Sequence, residues 1–150
     1  MLQHAATVCD DGLWPDPADG SAEPGKDVAG GVVWWWLRWF DVEDCVVSVR
    51  LTGADTEFVE KDIEAIIPCR PHAVRLPKCN SEADVLLADG KIGEAEEKCA
   101  MARGTVQLHA MVETALGLEN AFRIASACPR VTELELGGPV FTGAMGSRQA

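Results

Sequence analysis

The sequence predicts an α/β protein, an incomplete (β/α) barrel of about four βα units built on parallel sheet. Three observations lead there. From Val46 onward, short β-branched runs alternate with longer amphipathic stretches at near-constant spacing, the pattern of strand–helix–strand units. No glycine-rich phosphate loop follows any of these runs, so a nucleotide-binding doubly wound sheet lacks its signature. The chain has 150 residues, whereas a closed eight-stranded barrel takes ~250.

The elements follow in order. VVSVRL at 46–51 reads as a strand. Asp55 or Thr56 then caps a helix in which Val59, Ile63, Ile66 and Ile67 share a face, until Pro68 stops it. HAVRLP at 72–77 is the second strand. Ser81, with Asp84 three positions on, makes a capping box for a helix towards Cys99. Gly90 and Gly93 should interrupt that helix. VQLHAMVE at 106–113 is the third strand, and a helix runs from Leu116 through Phe122 and Ala125 to Cys128, where Pro129 ends it. VTELELG at 131–137 is the fourth.

Residues 1–45 read differently. Within residues 1–30, Asp10, Asp11, Asp16, Asp19, Glu23 and Asp27 stand against Lys26 alone and are interleaved with Pro15, Pro17 and Pro24, the composition of a poorly ordered acidic leader. It ends in VVWWWLRWF at 32–40, four tryptophans within six positions, which reads as a buried strand, a fifth, or as a segment with no partner. The expected organisation is therefore a leader at 1–45 and a partial barrel at 46–150.

Charge and composition exclude several functions. Thirteen basic against 24 acidic residues leave a net charge of −11, the wrong sign for a nucleic acid or an anionic membrane surface. The run at 32–40 is broken by Arg38 and is shorter than the ~20 residues that span a bilayer. The N-terminus shows no secretory pattern. Six cysteines without a C-x-x-C pair read as idle thiols in a reducing compartment. The expected location is the cytoplasm.

In a (β/α) barrel, chemistry gathers at the C-terminal ends of the strands. There Arg50 closes the first strand, Lys78 follows the second and Glu113 closes the third. The fourth runs out in Gly137, Gly138, Pro139 and Val140, with nothing ionisable. His109, among apolar neighbours, reads as a hydrogen-bonded core histidine, and His72 carries no signal. Glu133 and Glu135 alternate along the last strand and face either the lumen or solvent.

HAVRLPKCNSEADV at 72–85 and LHAMVETALGLENAFRIASACPRVTELELGG at 108–138 resemble the HpcH/HpaI aldolase/citrate lyase family, with the likeness covering about residues 46–148. The resemblance implies a TIM-type barrel and a carbon–carbon lyase that uses a divalent metal, usually Mg²⁺. For members of the citrate lyase beta type it implies cleavage of citryl-acyl-carrier-protein to oxaloacetate and acetyl-acyl-carrier-protein, within a complex of other citrate lyase subunits and as a homo-oligomer. A malyl- or citramalyl-coenzyme A lyase is the nearby alternative. Arg50, in VRLTG, matches the arginine that binds the substrate carboxylate. Glu113, in VETALG, matches the metal-binding glutamate, and VRLPK matches a strand that ends at the barrel mouth. Arginine's planar fork suits a carboxylate, and Mg²⁺ takes one or two protein carboxylates while keeping positions for water and substrate oxygens.

The departures are equally specific. Pro139 and Val140 stand where the resemblance leads to Glu and Asp, so the second metal-binding carboxylate is replaced by Val140. Thr52 replaces an asparagine and Ala144 an aspartate. FDVEDCV at 40–46 is similar to a second strand end, but no helix separates it from VVSVRL. Two readings follow, a lyase of the citrate lyase beta type and a non-catalytic truncated or frame-shifted remnant of one.

Overall fold

Residues 46–137 alternate strand and helix as their hydrophobic pattern dictates, and the strands join one sheet in chain order. The computed structural model describes residues 6–9, 12–15, 46–53, 56 and 58–137. Strand β1 (Ala6–Cys9) pairs antiparallel with β2 (Gly12–Pro15), which lies parallel to β3 (Val46–Arg50). Strands β4 (Ala73–Leu76), β5 (Gln107–Val112) and β6 (Val131–Leu136) extend the sheet, each parallel to its predecessor. Sequential parallel neighbours are what successive βα crossovers produce in a barrel wall. The two short strands β1 and β2 fall within the acidic leader. The tryptophan segment at 32–40, FDVEDCV up to residue 45, and Pro139, Val140 and Ala144 lie outside the described residues.

A strand shows its side chains to alternate faces, and here the two faces differ in chemistry. Val47, Val49 and Leu51, then Val74 and Leu76, then Leu108, Ala110 and Val112 join one buried apolar cluster. The helices supply its other side. Helix α1 (Phe58–Ile66) contributes Val59, Ile63 and Ile66, and helix α2 (Glu82–Lys98) contributes Val85, Ala88, Ile92 and Ala95. The opposite face carries Ser48, Arg75, His109, Glu133 and Glu135, held together by side-chain contacts across the strands.

Local chemistry fixes the helix ends. A 3₁₀ turn (Ile67–Cys69) carrying Pro68 terminates α1, and Arg70 beyond it adopts a left-handed φ of 56°. The capping carboxylate of α2 is Asp84, which accepts the N–H groups of Asn80 and Ser81 at 2.9 Å each. Thr56 does not cap α1: its hydroxyl donates to the Gly53 carbonyl at 2.8 Å, and the helix opens at Phe58. Asp55 lies outside the described residues.

Two expectations are corrected. Helix α2 is continuous through Gly90 and Gly93. A single glycine costs a helix only ~1 kcal/mol relative to alanine, less than the buried apolar stripe of α2 returns. A Cβ at Gly93 would lie 2.8 Å from the Arg103 guanidinium, the end of a flexible and largely exposed side chain that can move aside. Conversely, the helix expected from Leu116 to Cys128 is two short ones, α3 (Ala115–Glu119) and α4 (Ala121–Ala125), separated at Asn120. Asn120 leaves helical geometry with ψ near 5° and donates its side-chain amide to the Asn80 carbonyl at 2.8 Å. A tertiary bond to the loop after β4 has overridden local helicity.

Cys69, Cys79, Cys99 and Cys128 are free thiols. Burial, reinforced by the Asp84 carboxylate, pushes the Cys79 thiol up to about 12, so it stays protonated. Among the described residues no helix is long and apolar enough to cross a membrane.

At the N-terminal end of the sheet a buried ion pair staples α2 to the strands. Arg130, just before β6, donates Nη1 and Nη2 to the two Glu96 oxygens at 2.9 and 2.8 Å, and Nε to Asp89 at 2.6 Å. Glu96 also accepts the N–H groups of Gly104 and Val106 at 2.8 Å each. Burial pushes the Glu96 carboxyl up, but the Arg130 hydrogen bonds and the two backbone donors outweigh it and leave it below its ordinary value. Removing Glu96 leaves the buried Arg130 with Asp89 as its only carboxylate among the described residues and unpairs the Gly104 and Val106 N–H groups, and loss of one partner of a buried pair costs ~3–5 kcal/mol. Urea denaturation of Glu96→Ala at pH 7 should show a loss of that order, and a loss under 1 kcal/mol would contradict the staple. Because the folded carboxyl is depressed, the unfolded chain binds more protons in acid. The contribution of Glu96 is therefore full at neutral pH and fades as pH falls from the ordinary carboxylate range through the lowered folded value.

Candidate functional site

Strands β3 to β6 run parallel, so their C-terminal ends share one rim. Arg50 is the last residue of β3, Glu113 follows the end of β5 and Gly137 follows the end of β6. Arg50, Arg75, His109 and Glu133 are neighbours in register across the four strands. From His109 and Glu133 onward, past the register shift that pairs Val131 with Leu108, odd-numbered positions of β5 and β6 share the polar face with Arg50, and Glu113 and Gly137 continue it upward.

Arg50 Nη2 lies 3.9 Å from Glu113 Oε1. The Glu113 side chain is 3% exposed and that of Arg50 20%, so the pair sits at a mouth that only one partner reaches. The other Glu113 oxygen, Oε2, accepts the Lys78 N–H at 3.0 Å. Lys78 thus enters the site through its main chain. Its φ of 54° places it in the left-handed region, a conformation uncommon for residues other than glycine, and one that occurs where the surroundings dictate it. The surroundings here are two stitched loops. Cys79 N–H donates to the Met111 carbonyl at 2.9 Å, and Thr114 Oγ1 bonds to Asn80 Oδ1. Thr114 Oγ1 also accepts the Gly117 N–H at 3.0 Å as the cap of α3. A Cβ on Gly117 would come within 2.4 Å of the Cys79 carbonyl.

Gly137 completes the cradle of Glu113. Its N–H donates to the Val112 carbonyl at 3.0 Å. A Cβ at this position would lie 2.4 Å from Glu113 Cγ and 2.9 Å from Oε1. The end of the fourth strand therefore contributes the space that the glutamate occupies rather than a charge. A glycine after a strand carries no marking of that role in the sequence.

Below the rim the polar face is internally paired. Arg75 donates Nε to Glu135 Oε2 at 3.0 Å and also contacts it through Nη2. His109 Nδ1 lies 3.4 Å from Ser48 Oγ and 3.3 Å from Glu133 Oε2. Burial pushes the His109 imidazole down; Glu133 opposes this, Arg75 adds to it, and the net direction is down. Glu133 and Glu135, left open between lumen and solvent by the sequence, share the polar face with these partners. His72, which showed no signal, accepts the Val47 N–H on Nδ1 at 3.0 Å and so ties down the start of β3.

Among the described residues no group of three or more His, Cys, Asp or Glu could hold a metal ion. Among the described residues the rim offers a single carboxylate, Glu113, with one oxygen accepting a backbone donor. That fits a cation keeping most of its positions for water and for ligand oxygens, as Mg²⁺ commonly does. It does not fit a closed protein cage.

The Gly137 contact gives a direct check. Gly137→Ala should destabilise the chain by ~1–3 kcal/mol through forced repacking, and most of that loss should vanish in a Glu113→Ala background, where the colliding atoms are gone. Equal losses in both backgrounds, measured by urea denaturation as a double-mutant cycle, would show that Gly137 does not shape the glutamate's position.

The chain has clear relatives. It is 30% identical over 142 residues to citrate lyase subunit beta of Leuconostoc mesenteroides subsp. cremoris, a match covering 95% of this chain and 47% of the relative. It is also 30% identical over 103 residues to the L-malyl-CoA/beta-methylmalyl-CoA lyase of Rhodobacter capsulatus, covering 67% of this chain and 32% of that one. Among solved structures, the citrate lyase beta subunit of M. tuberculosis complexed with oxaloacetate and magnesium superposes with a TM-score of 0.65 at 26% identity, covering 91% of this chain and 52% of the other. The chain thus spans about half the length of its citrate lyase relatives. The family model for HpcH/HpaI aldolase/citrate lyase matches residues 1–150, and with these similarities it establishes that the chain belongs to that family.

Proposed function

We propose that residues 46–150 carry the substrate-anchoring rim of a carbon–carbon lyase that cleaves a citryl thioester to oxaloacetate and an acetyl thioester. One observation carries this reading. Arg50 and Glu113, 63 positions apart in sequence, meet 3.9 Å apart at the C-terminal ends of parallel strands. In a (β/α) barrel that rim is where chemistry sits.

The two side chains divide the work. Arg50 presents a guanidinium whose fork pairs with a carboxylate of the oxo acid. Glu113 offers Oε1 as an anionic ligand to Mg²⁺, while the Lys78 N–H holds Oε2 and fixes the plane of the carboxylate. A bound divalent cation supplies the electrophilic pull on the oxygen next to the breaking bond. The stitched loops after β4 and β5 hold Glu113 before substrate arrives, which is the preorganisation that makes such contacts effective. The thioester would be carried on acyl carrier protein, or on coenzyme A as the similarity to a malyl-CoA lyase suggests, and the working form would be an oligomer with other citrate lyase subunits.

Val140 favours a second reading for the isolated chain, a non-catalytic remnant. It stands where the resemblance leads to a second metal-binding aspartate. The chain alone should therefore release no detectable oxaloacetate from citryl thioester.

A chimaera separates rim from context. Residues 46–137 would replace the matching βα units of the Leuconostoc subunit, whose own sequence then supplies everything after position 137. It should release oxaloacetate in a Mg²⁺-dependent manner. Arg50→Ala or Glu113→Ala should each lower the rate by ~10²–10³, the usual effect of removing one transition-state electrostatic contact. A folded chimaera that works equally well without either residue would overturn their assignment.

A further inference from the structure

We infer that Cys69 and Cys99 form a redox-active thiol pair, a modification site that a small-molecule disulfide converts to a bridge between the ends of α1 and α2. Two ion pairs hold these helices side by side. Lys91 Nζ donates to Glu60 Oε1 at 2.8 Å and Lys98 Nζ to Glu64 Oε1 at 2.9 Å, and Ile63 and Ala95 line the groove between the helices. Both segments leave that groove at the same end of the sheet, since each is about to enter a strand. The 3₁₀ turn that closes α1 packs against α2, and Cys69 is its last residue. Cys99 follows Lys98 as the C-cap of α2, with its N–H on the Ala95 carbonyl at 3.1 Å.

The other thiols with described surroundings are placed differently. Cys79 is wholly buried, and Cys128 packs against the apolar core. Cys69 and Cys99 are both half-buried and free, and the Cys69 thiol makes only a long contact to the Ala65 carbonyl at 3.6 Å. Burial pushes the Cys69 thiol up, and the charge of a Cys99 thiolate pushes it further, so the two sulfurs lie within electrostatic reach of each other. The exchange with oxidised glutathione balances. One thiolate attacks its disulfide and expels one reduced glutathione, and the second thiolate then attacks the mixed disulfide and expels the other. One S–S bond breaks and one forms, while the two electrons and two protons lost by the protein thiols leave on the two glutathione thiols. The bridge lies at the N-terminal end of the strands, the face of a (β/α) barrel that serves stability, so Arg50 and Glu113 keep their places.

The test treats the full 150-residue chain, reduced beforehand, with oxidised glutathione in mildly alkaline buffer, blocks the remaining thiols and maps tryptic peptides by mass spectrometry. Trypsin leaves Cys69 in the peptide 62–75, because Pro71 protects the bond after Arg70, and Cys99 in the peptide 99–103. In native buffer these two should be joined, lighter by two hydrogens than the separate peptides, and several-fold more abundant than any other cross-link. Dithiothreitol should separate them. In concentrated urea the preference should vanish, because shorter loops such as Cys69–Cys79 then compete on chain entropy alone. Cys99→Ser should leave Cys69 carrying glutathione, with no cross-link to 62–75. Glutathione on Cys69 and Cys99 without a link between them would overturn the pair. So would a dominant link to one of the other four cysteines, or the same pattern of links in native buffer and in urea.

Discussion

The two-residue alternation of four parallel strands is the constraint from which the rest of this structure follows. It sends Val47, Val49, Val74, Leu76, Leu108, Ala110 and Val112 towards the helices, and sends Ser48, Arg75 and His109 to the other face. A slip of one residue in any pairing would exchange the two sets, burying charge against helices and turning the apolar set into the lumen. The apolar set makes that slip unfavourable, and in doing so fixes where Arg50, Glu113 and Gly137 emerge. Packing energetics on one side of the sheet thus determines the chemistry available on the other.

The rim adds a second layer of constraint. A glutamate held at 2% exposure needs its polar atoms satisfied, and the molecule does so with a backbone N–H from one loop and a guanidinium from another strand. The accommodations are visible: a left-handed Lys78, a side-chain-free Gly137 and two loops joined through Asn80, Thr114 and Asn120. At the opposite end of the sheet, Arg130, Glu96 and Asp89 form a fully engaged network that ties α2 to the strands. The two ends differ in kind. In the lower network Arg130 and Glu96 are enclosed and directly hydrogen-bonded, whereas at the rim the pair lies at 3.9 Å with Arg50 partly open to solvent.

Much of this was legible in the sequence because strand periodicity and capping chemistry are local. All four parallel strands, the Pro68 stop and the Asp84 cap follow from residues within a few positions of each other. Arg50 and Glu113 could be singled out because a strand end in a barrel has a known destination. What the sequence hid was long-range. Gly90 and Gly93 look like helix breakers until the packing of Val85, Ala88, Ile92 and Ala95 into the core is known. Asn120 looks helical until its bond to Asn80 is known. Glu133 and Glu135 have partners, His109 and Arg75, that only the sheet brings near. Gly137 is the sharpest case, because its role is an absence of atoms next to a side chain 24 positions away.

The claim on which the account most depends is that Glu113 is fixed to the Lys78 backbone. Hydrogen exchange read at single amides tests it directly. The Lys78 N–H lies outside every strand and helix and has Glu113 Oε2 as its acceptor, so it should exchange slowly in the unaltered chain. In Glu113→Ala it should exchange as fast as an open loop, while Val74 and Leu76 in β4 keep their protection. A Lys78 amide that exchanges rapidly from the start, or that stays protected after Glu113→Ala, would contradict the account.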